Sequence, residues 1–163
     1  MEQPKKFLGR DIMTRNVVVV TPDTPLLEAF QTMIQAGYSG LPAVDGERRV
    51  VGIVTDYDLL TKANAIHLPT FIKLFGELPM STEDEHLLKR KMTDAPTVTV
   101  KAVMNHEPLV MKEDDSLAAI VQAFSEHHRV NPIPIVDSAG KLAGIISRFD
   151  IIKFYAAALK KEL

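Results

Sequence analysis

The strongest constraint on this chain is an internal repeat. The string GIVTDYDLL at residues 52–60 is repeated as GIISRFDII at residues 144–152, 92 positions later. LPAVD at residues 41–45 is repeated as IPIVD at residues 133–137 with the same spacing. Two copies are too few for an open solenoid, which needs about three or more repeats. We therefore expect two halves that pack face to face, each covering the apolar surface of the other.

Each copy shows the same order of local patterns: strand, helix, strand, strand, helix. Apolar residues recur with the helical spacing i, i+3, i+4 and i+7 in helices expected near residues 24–36 and 115–128. These apolar positions are Leu26, Ala29, Phe30 and Met33 in the first copy and Leu117, Ile120, Val121 and Phe124 in the second. Two short strands rich in β-branched residues follow in each copy, joined by a turn.

The pattern predicts a mixed α+β fold, built as tandem β-α-β-β-α repeats around a pseudo-two-fold axis. We assign the first repeat to residues 1–61 and the second to residues 102–163. Residues 62–101 have no counterpart and are expected to form a helical insertion or linker. Apolar residues at helical spacing predict that this insertion covers one face of the two-repeat module or mediates self-association. The alternative is a linker that is exposed to solvent. Those apolar residues are Leu68, Phe71, Ile72 and Phe75.

The composition narrows the function classes. The 163 residues carry a formal net charge of −2, which gives no general electrostatic attraction to nucleic acid. The absence of cysteine excludes disulfides and cysteine-ligated zinc. No apolar stretch approaches the length needed to cross a bilayer, and the first residues lack the apolar core of a signal peptide. We therefore expect a soluble, cytoplasmic protein that binds neither nucleic acid nor membrane.

Each copy of the motif places a hydroxyl and a carboxylate three residues apart at the start of a helix. Thr55 and Asp58 form this corner in the first copy, and Ser147 and Asp150 form it in the second. One interpretation is structural, because such a pair forms a capping box that satisfies backbone N–H groups. The other is a binding site, because a helix start favours phosphate and a carboxylate can accept both hydroxyls of a ribose.

Taken together, the motifs resemble a known family. DIM at 11–13 and AVM at 102–104, the LPAVD and IPIVD strands, and two G-I-V/I-T/S-x-x-D strings resemble the cystathionine β-synthase (CBS) domain. Two copies resemble a CBS pair, also called a Bateman module, here standing alone. The resemblance implies a regulatory sensor of adenine nucleotides, AMP, ADP or ATP, with no obligatory cofactor. It also implies a regulated partner protein that responds to a change in packing.

The resemblance implies roles for individual residues. Asp58 and Asp150 would hold the ribose diol, and Thr55 and Ser147 would lie beside the phosphate. The turn before each LPAVD-type strand, together with the first strand of each copy, would hold the base. The turn residues are Tyr38, Ser39 and Gly40 in one copy and Val130, Asn131 and Pro132 in the other. The first-strand residues are Val17 and Val18 in one copy and Pro108 and Leu109 in the other.

The two copies differ in the charge near their corners. The first corner contains Asp56 and Tyr57, whereas the second contains Arg148 and follows Arg129 in sequence. An arginine can clamp a phosphate, and phosphate contacts in the family often reach across the two-fold. Arg148 or Arg129 could therefore serve either cleft. We expect one cleft to bind more tightly than the other.

Two alternatives to a nucleotide sensor remain. S-adenosylmethionine is a second possible ligand, since it has the ribose diol but lacks the phosphates. A ligand-free dimerisation or scaffold module is the other, because relatives pair as closed dimers and two-fold homodimers are the commonest oligomers. The last helix offers an apolar stripe for such a homodimer, although packing into the core explains the stripe equally well. The stripe consists of Ile151, Phe154, Tyr155, Ala158 and Leu159.

Catalytic and metal-binding functions are not expected. No Ser–His–Asp arrangement and no glycine-rich phosphate loop can be traced, so an enzyme would lack a nucleophile and an activated base. His127 and His128 are adjacent and would point about 100° apart on a helix, which does not suit one shared metal ion. Solvated histidines at a helix end are the preferred interpretation.

Overall fold

The computed structural model describes residues 6–62 and 98–160, and its elements follow the repeat. The first half contains α1 (Gly9–Ile12), α2 (Leu26–Ala36), β1 (Gly40–Val44), β2 (Val50–Thr55) and α3 (Asp56–Lys62). The second half contains a 3₁₀ turn (Val100–Ala102), β3 (Met111–Lys112), α4 (Leu117–Glu126), β4 (Ile133–Val136), β5 (Leu142–Ile146) and α5 (Arg148–Leu159). The predicted α+β class is confirmed. The predicted order of elements is also found, except that the first strand of the first copy is reduced to a single bridge at Val20. Most of the 62–101 segment, including its expected helix, lies outside the described residues.

The two β-hairpins are copies of each other down to their irregularities. β1 and β2 pair antiparallel with a register shift between Ala43 and Val44. β4 and β5 pair antiparallel with a register shift between Ile135 and Val136, at the equivalent position. β3 adds to β4 as a parallel strand, and in the first repeat Val20 forms a single parallel bridge beside β1. The two hairpins that the sequence repeat encodes therefore also share their strand register.

The segments that lead into each repeat are exchanged between the two halves. The first leading segment is residues 9–14 and the second is residues 100–105. Thr14, from the first leading segment, forms an antiparallel bridge with Ile145 of β5. Asn105, from the second leading segment, forms the equivalent bridge with Ile53 of β2. The backbone of each half is thus hydrogen-bonded to the other half. The boundaries predicted from sequence divide the repeats along the chain, whereas each unit in space contains residues from both.

Two glycines permit the close approach of these leading segments. A Cβ atom at Gly52 would lie 2.6 Å from Met104 Sδ and 3.0 Å from the Asn105 carbonyl oxygen. A Cβ atom at Gly144 would lie 2.6 Å from Met13 Sδ. A side chain at either position would push the crossing backbone away from the sheet. The glycines that open both copies of the motif are therefore required by packing.

Two apolar cores lie between the helices and the hairpins. The predicted stripe of α2 is fully buried in one core, against residues from β1, β2 and the second leading segment. In α4, Leu117, Ile120 and Phe124 are buried, and Val121 is half-buried. Met13 of the first leading segment packs in the α4 core, as Met104 does in the α2 core. Burial of a large apolar side chain contributes about 1.5–3 kcal/mol, so the exchanged segments help to hold the halves together.

The last helix lies against the core along one edge only. Ile151 packs on the α4 core, and the ring of Phe154 meets that of Phe7 edge to face at 4.7 Å. The other three members of the predicted stripe, Tyr155, Ala158 and Leu159, are exposed. Part of the stripe is therefore buried in the core and part is exposed. Helical periodicity alone did not predict this division.

Candidate functional site

Two cavities lie between the repeats, one at each corner of the motif. The first cleft has a volume of about 540 Å³ and opens beside Thr55 and Asp58. It is completed by residues 104–109 and 129–132 of the second repeat. A helix cap alone does not require a cavity in front of it, so this corner has room for a ligand.

The second cleft is the repeat-related equivalent of the first. It has a volume of about 420 Å³ and opens beside Ser147 and Asp150. It is completed by Thr14 and by residues 37–40 of the first repeat. Each cleft therefore combines the corner of one repeat with the turn of the other, because the hairpins face each other across the pseudo-two-fold axis.

Most of the predicted site residues line these two cavities. In the first cleft they are Thr55, Asp58, Pro108, Leu109, Arg129 and Val130. In the second cleft they are Ser147, Asp150, Tyr38, Ser39 and Gly40. Asn131 and Pro132 line both and form part of the wall between them. The sequence grouped these residues by copy, and the structure decides which turn faces which corner.

The first corner is a closed capping box. The backbone N–H and the hydroxyl of Thr55 both donate to Oδ2 of Asp58, at 3.0 and 2.7 Å. The backbone N–H of Asp58 donates back to Thr55 Oγ1 at 3.3 Å. Both side chains are buried, with 6% of Thr55 and 8% of Asp58 exposed. The capping interpretation is thus correct for the corner itself, and the bonds fix the carboxylate at the edge of the cavity.

The second corner has the same capping box, and its carboxylate also binds a lysine. The backbone N–H and hydroxyl of Ser147 donate to Asp150 Oδ2 at 2.8 and 2.6 Å. The ammonium of Lys153 lies 2.8 Å from the other oxygen, Oδ1. Burial raises the pKa of the Asp150 carboxyl, but the hydrogen bonds from Lys153 and Ser147 outweigh it and hold the pKa below its usual value. Asp150 is therefore a charged group with a bound cation of its own.

The backbone N–H groups at the start of α3 already have acceptors. Asp56 N–H donates to the Ser39 carbonyl oxygen at 3.0 Å, and Tyr57 N–H donates to Asp56 Oδ1 at 2.7 Å. At the start of α5, Arg148 N–H donates to Asn131 Oδ1 at 3.0 Å. A phosphate at either helix start would therefore not find these three N–H groups free. The carboxylates and nearby cations are the groups that remain suited to a ligand.

A chain of hydrogen bonds joins the two helix starts through the shared wall. Asn131 Nδ2 donates to Ser39 Oγ at 3.0 Å, and these residues are repeat equivalents, 92 positions apart. Ser39 accepts from the start of α3 through its carbonyl oxygen, and Asn131 accepts from the start of α5 through its side chain. The two clefts are therefore in direct hydrogen-bonded contact at the pseudo-two-fold axis.

Three predicted residues do not line either cavity. The guanidinium of Arg148 turns away to the end of α4, where it donates to the carbonyl oxygens of His127 and His128 at 3.4 and 2.7 Å. It also lies 5.4 Å from the centre of the Phe124 ring. Val17 and Val18 lie outside both cavities, whereas Thr14 lines the second cleft. Arg148 thus supports the end of a helix, because unpaired carbonyl groups there attract a cation.

The structure adds residues that the sequence reasoning missed. Lys153 lines the second cleft and follows Asp150 by three positions, a spacing that places both on one face of a helix. Thr14 and Asn105 come directly after the DIM and AVM strings and line the second and first clefts. Helical spacing could have identified Lys153. The leading segments could not be assigned, since their exchange between halves has no signal in sequence.

Within residues 6–62 and 98–160, no group of three or more histidine or acidic side chains is arranged to hold a metal ion. In the same part of the chain, no helix is both long enough and apolar enough to cross a membrane.

Comparison with curated proteins places the chain among CBS domain proteins. The uncharacterized protein MJ1225 of Methanocaldococcus jannaschii is 30% identical over 146 residues, which cover 90% of this chain and 46% of that protein. The chloroplastic CBS domain-containing protein CBSX2 of Arabidopsis thaliana is 28% identical over 155 residues, which cover 93% of this chain and 64% of that protein. The chain therefore spans less than two thirds of the length of these relatives.

Solved structures share the whole fold. The crystal structure of CBSX2 in complex with AMP matches with a TM-score of 0.68 at 26% identity, covering 96% of this chain and 99% of that chain. The CBS domain pair of protein MJ0100, in complex with 5′-methylthioadenosine and S-adenosyl-L-methionine, matches with a TM-score of 0.67. That second match is 19% identical, covers 94% of this chain and 99% of the other, and shows the fold alone.

The repeat itself matches a family description. Residues 9–64 and residues 100–157 each match the CBS domain. The two matches coincide with the two halves of the fold, including the leading segments that cross between them. The chain therefore belongs to the CBS domain family, and its two CBS domains form a CBS pair.

Proposed function

We propose that this chain is a regulatory module that binds an adenine nucleotide in the clefts between its two CBS domains. The observation that carries the proposal is the pair of fixed carboxylates, Asp58 and Asp150, each placed at a cavity between the repeats. A carboxylate can accept hydrogen bonds from both hydroxyls of a ribose. The AMP complex of CBSX2, a relative with the same fold, supports an adenine nucleotide as the ligand.

The remaining parts of a nucleotide have suitable surroundings in the first cleft. The turn at residues 129–132 and the segment at 104–109 provide apolar side chains and backbone groups against which a base can lie. Arg129 lines the same cleft with its guanidinium 5.4 Å from the centre of the Tyr57 ring. An arginine at this position can turn toward a phosphate, and charge-assisted hydrogen bonds to phosphate are strong.

Binding would act as a signal because each cleft is built from both repeats. A ligand that contacts both sides of a cleft favours the packing in which those sides are correctly spaced, and only such differential affinity shifts a conformational equilibrium. A partner protein would then respond to the altered packing. We propose a binding role and not a catalytic one, since the hydroxyls of Thr55 and Ser147 both donate to capping carboxylates.

The direct test is a thermal unfolding experiment with AMP. A ligand present at 100 times its dissociation constant stabilises the folded state by about 2.7 kcal/mol, which raises the melting temperature. We expect AMP to produce this shift in the natural protein and a smaller shift in Asp58→Ala and Asp150→Ala. Each variant is compared with its own ligand-free melting temperature, because loss of a capping carboxylate also lowers stability. Glu28→Ala, at an exposed position of α2, is the control.

The result separates the possible ligands. An equal AMP shift in both aspartate variants would contradict the ribose contact. A shift with S-adenosylmethionine but not with AMP would replace the nucleotide by that ligand. The absence of any shift with either compound would leave the ligand-free scaffold function.

A specific observation also supports self-association. One face of α5 exposes large apolar side chains, with 64% of Phe149, 61% of Ile152 and 64% of Leu159 accessible. An apolar face of this kind is typical of an interface, and two-fold dimers are the commonest soluble assemblies. We propose that this face joins two copies of the chain in a homodimer.

Sedimentation tests the dimer directly. Ile152→Glu would bury a charge in the interface, so we expect it to convert the dimer to a monomer. Ala157→Glu is the control, because it is exposed on the same helix but lies about 140° around the axis from Ile152. A monomeric natural protein, or a dimer that persists in Ile152→Glu, would contradict the proposed interface.

A further inference from the structure

Phosphate binding in either cleft depends on the cations that line it. Both corner hydroxyls already donate to capping carboxylates. The backbone N–H groups of Asp56, Tyr57 and Arg148 also donate to acceptors within the protein. A phosphate oxygen accepts charge-assisted hydrogen bonds, which arginine and lysine side chains provide. A difference in these side chains between the clefts is therefore a difference in affinity for phosphate.

The first cleft has an arginine on its wall. Arg129 lines this cleft, and its guanidinium lies 5.4 Å from the centre of the Tyr57 ring. Among the residues that the structure describes, no carboxylate pairs with this guanidinium. The side chain is exposed, so it can turn to a phosphate without breaking an ion pair. Glu107 also lines this cleft, but it is exposed, and solvent and salt weaken its repulsion of a phosphate.

The second cleft has a glycine at the equivalent position. Gly37 precedes Arg129 by the repeat spacing of 92 residues and lines the second cleft as Arg129 lines the first. Its backbone is left-handed, with a φ of 67°, where it ends α2. Glycine is the residue that this conformation favours, which explains why the turn of the first repeat has no side chain here. A Cβ atom at Gly37 would have no neighbour within 4 Å, so a side chain can be added without a clash at its base.

The second cleft has a lysine that is already bound to a carboxylate. Lys153 is the cation among the described residues that line this cleft. Its ammonium lies 2.8 Å from Asp150 Oδ1, one helical turn away. A phosphate that binds Lys153 must compete with this carboxylate for the same ammonium, so Lys153 gives it little net attraction.

We propose that positions 129 and 37 give the two clefts different ligand classes. The first cleft selects adenine nucleotides that carry a 5′-phosphate, whereas the second binds adenine nucleosides and gains nothing from a phosphate. This inference rests on the proposed function and names the ligand of each cleft. In the first cleft the phosphate gains charge-assisted hydrogen bonds from Arg129, which adenosine cannot make. In the second cleft Gly37 has no side chain to offer.

Calorimetry with adenosine and with AMP provides the test, because these two ligands differ by the phosphate alone. In the natural protein we expect AMP to bind the first cleft about fivefold more tightly than adenosine does, and the second cleft to bind both equally. Arg129→Gln keeps a polar side chain and removes the charge. It should abolish the preference for AMP and leave adenosine binding unchanged. An Asp58→Ala background, in which ribose binding to the first cleft is lost, reports the second cleft alone.

The reverse exchange adds an arginine to the second cleft. Gly37→Arg copies the residue of the second repeat into the first, and it should tighten AMP binding to the second cleft by about fivefold without changing adenosine binding. Gly37→Asn is the matched control, because asparagine tolerates a left-handed backbone and carries no charge, so it should change neither. Gly37→Arg in the otherwise natural protein gives a second reading that does not depend on folding of Asp58→Ala: both clefts should then prefer AMP.

Three outcomes overturn the inference. If the second cleft prefers AMP and Lys153→Gln removes that preference, Lys153 is a phosphate ligand and the clefts are not divided by ligand class. If Arg129→Gln keeps the full preference for AMP, Arg129 does not bind the phosphate; the inference fails and the proposed function stands, because both ligands still bind. If neither adenosine nor AMP binds to the natural protein or to any variant, the proposed function fails and the inference fails with it.

Discussion

The two clefts share a backbone and differ in the side chains around it. Both corners close with the same hydrogen bonds, from a hydroxyl and a backbone N–H to one carboxylate oxygen. In the first cleft Arg129 lines the wall; it comes from the opposite turn and lies over Tyr57. In the second cleft Lys153 comes from the same helix as the carboxylate and lies on the carboxylate itself. Duplication thus preserved the geometry that caps a helix, while Arg129 and Lys153 occupy different positions relative to the two corners.

The largest expected effect tests whether the two halves depend equally on the exchanged segments. Gly52→Val and Gly144→Val should each destabilise the fold by about 2–4 kcal/mol, because a side chain at either position would displace a crossing backbone. Urea unfolding measures both. Gly46→Val is the control, since nothing lies within 4 Å of a Cβ atom there, and it should change stability by less than about 0.5 kcal/mol. A small effect at only one of the two sites would show that the exchange is not symmetric.

The wall between the clefts should respond unequally to removal of its two members. Asn131→Ala leaves the Arg148 N–H without its acceptor and should cost about 1–2 kcal/mol. Ser39→Ala keeps the carbonyl oxygen that accepts from Asp56, so its cost should be below about 1 kcal/mol. The double variant measures the coupling between the two residues, which are in contact. Additive effects would mean that the bond between Asn131 and Ser39 contributes nothing.

Substitution of Arg129 should mainly affect AMP binding, whereas substitution of Arg148 should mainly affect the free energy of unfolding. Arg129→Ala should weaken AMP binding by about fivefold, which corresponds to about 1 kcal/mol, and leave the melting temperature nearly unchanged. Arg148→Ala should instead lower stability by about 1 kcal/mol, because the end of α4 loses a donor to two carbonyl oxygens. Calorimetry and urea unfolding on both variants check the assignment. If Arg148→Ala binds AMP more weakly while Arg129→Ala binds it fully, the roles assigned to the two arginines are reversed.

The smallest expected effect is a pH dependence that belongs to the second corner. The folded-state pKa of Asp150 lies below its unfolded value, so the stability that its charge contributes is present above the unfolded pKa and is lost as the pH falls through the folded pKa. At neutral pH, the free energy of unfolding of the natural protein should exceed that of Asp150→Asn by at most about 1 kcal/mol. The difference should shrink below about pH 4. Urea unfolding across this range measures it, and a difference that grows in acid would contradict the pKa direction.

The repeat made much of the fold predictable. Helical spacing identified the buried face of α2, since Leu26, Ala29, Phe30 and Met33 all lie in the core. The motif also identified both corners, because a hydroxyl and a carboxylate three residues apart form a local structure that needs few distant contacts. Features of this kind are encoded within a single turn of helix or a single strand.

Other parts of the site depended on contacts between distant residues. Arg148 looked like a phosphate ligand beside the corner, but its long side chain found carbonyl oxygens at the end of α4 instead. Tyr38 and Val130 were identified as turn residues, but the sequence did not specify the cleft that each would line. Sequence spacing gives the position of a side chain along its own element and does not give the direction in which a flexible one extends.

The sequence by itself determined that this chain has two matching α+β halves and that a hydroxyl and a carboxylate cap the helix after each corner. Those properties follow from short-range periodicity and hydrogen bonding. Only the tertiary structure decided that the leading segments cross, that each corner faces the other repeat's turn, and that Lys153 rests on Asp150. These arrangements depend on how two nearly equivalent halves pack against each other, and packing is set by shape and contact across the whole interface.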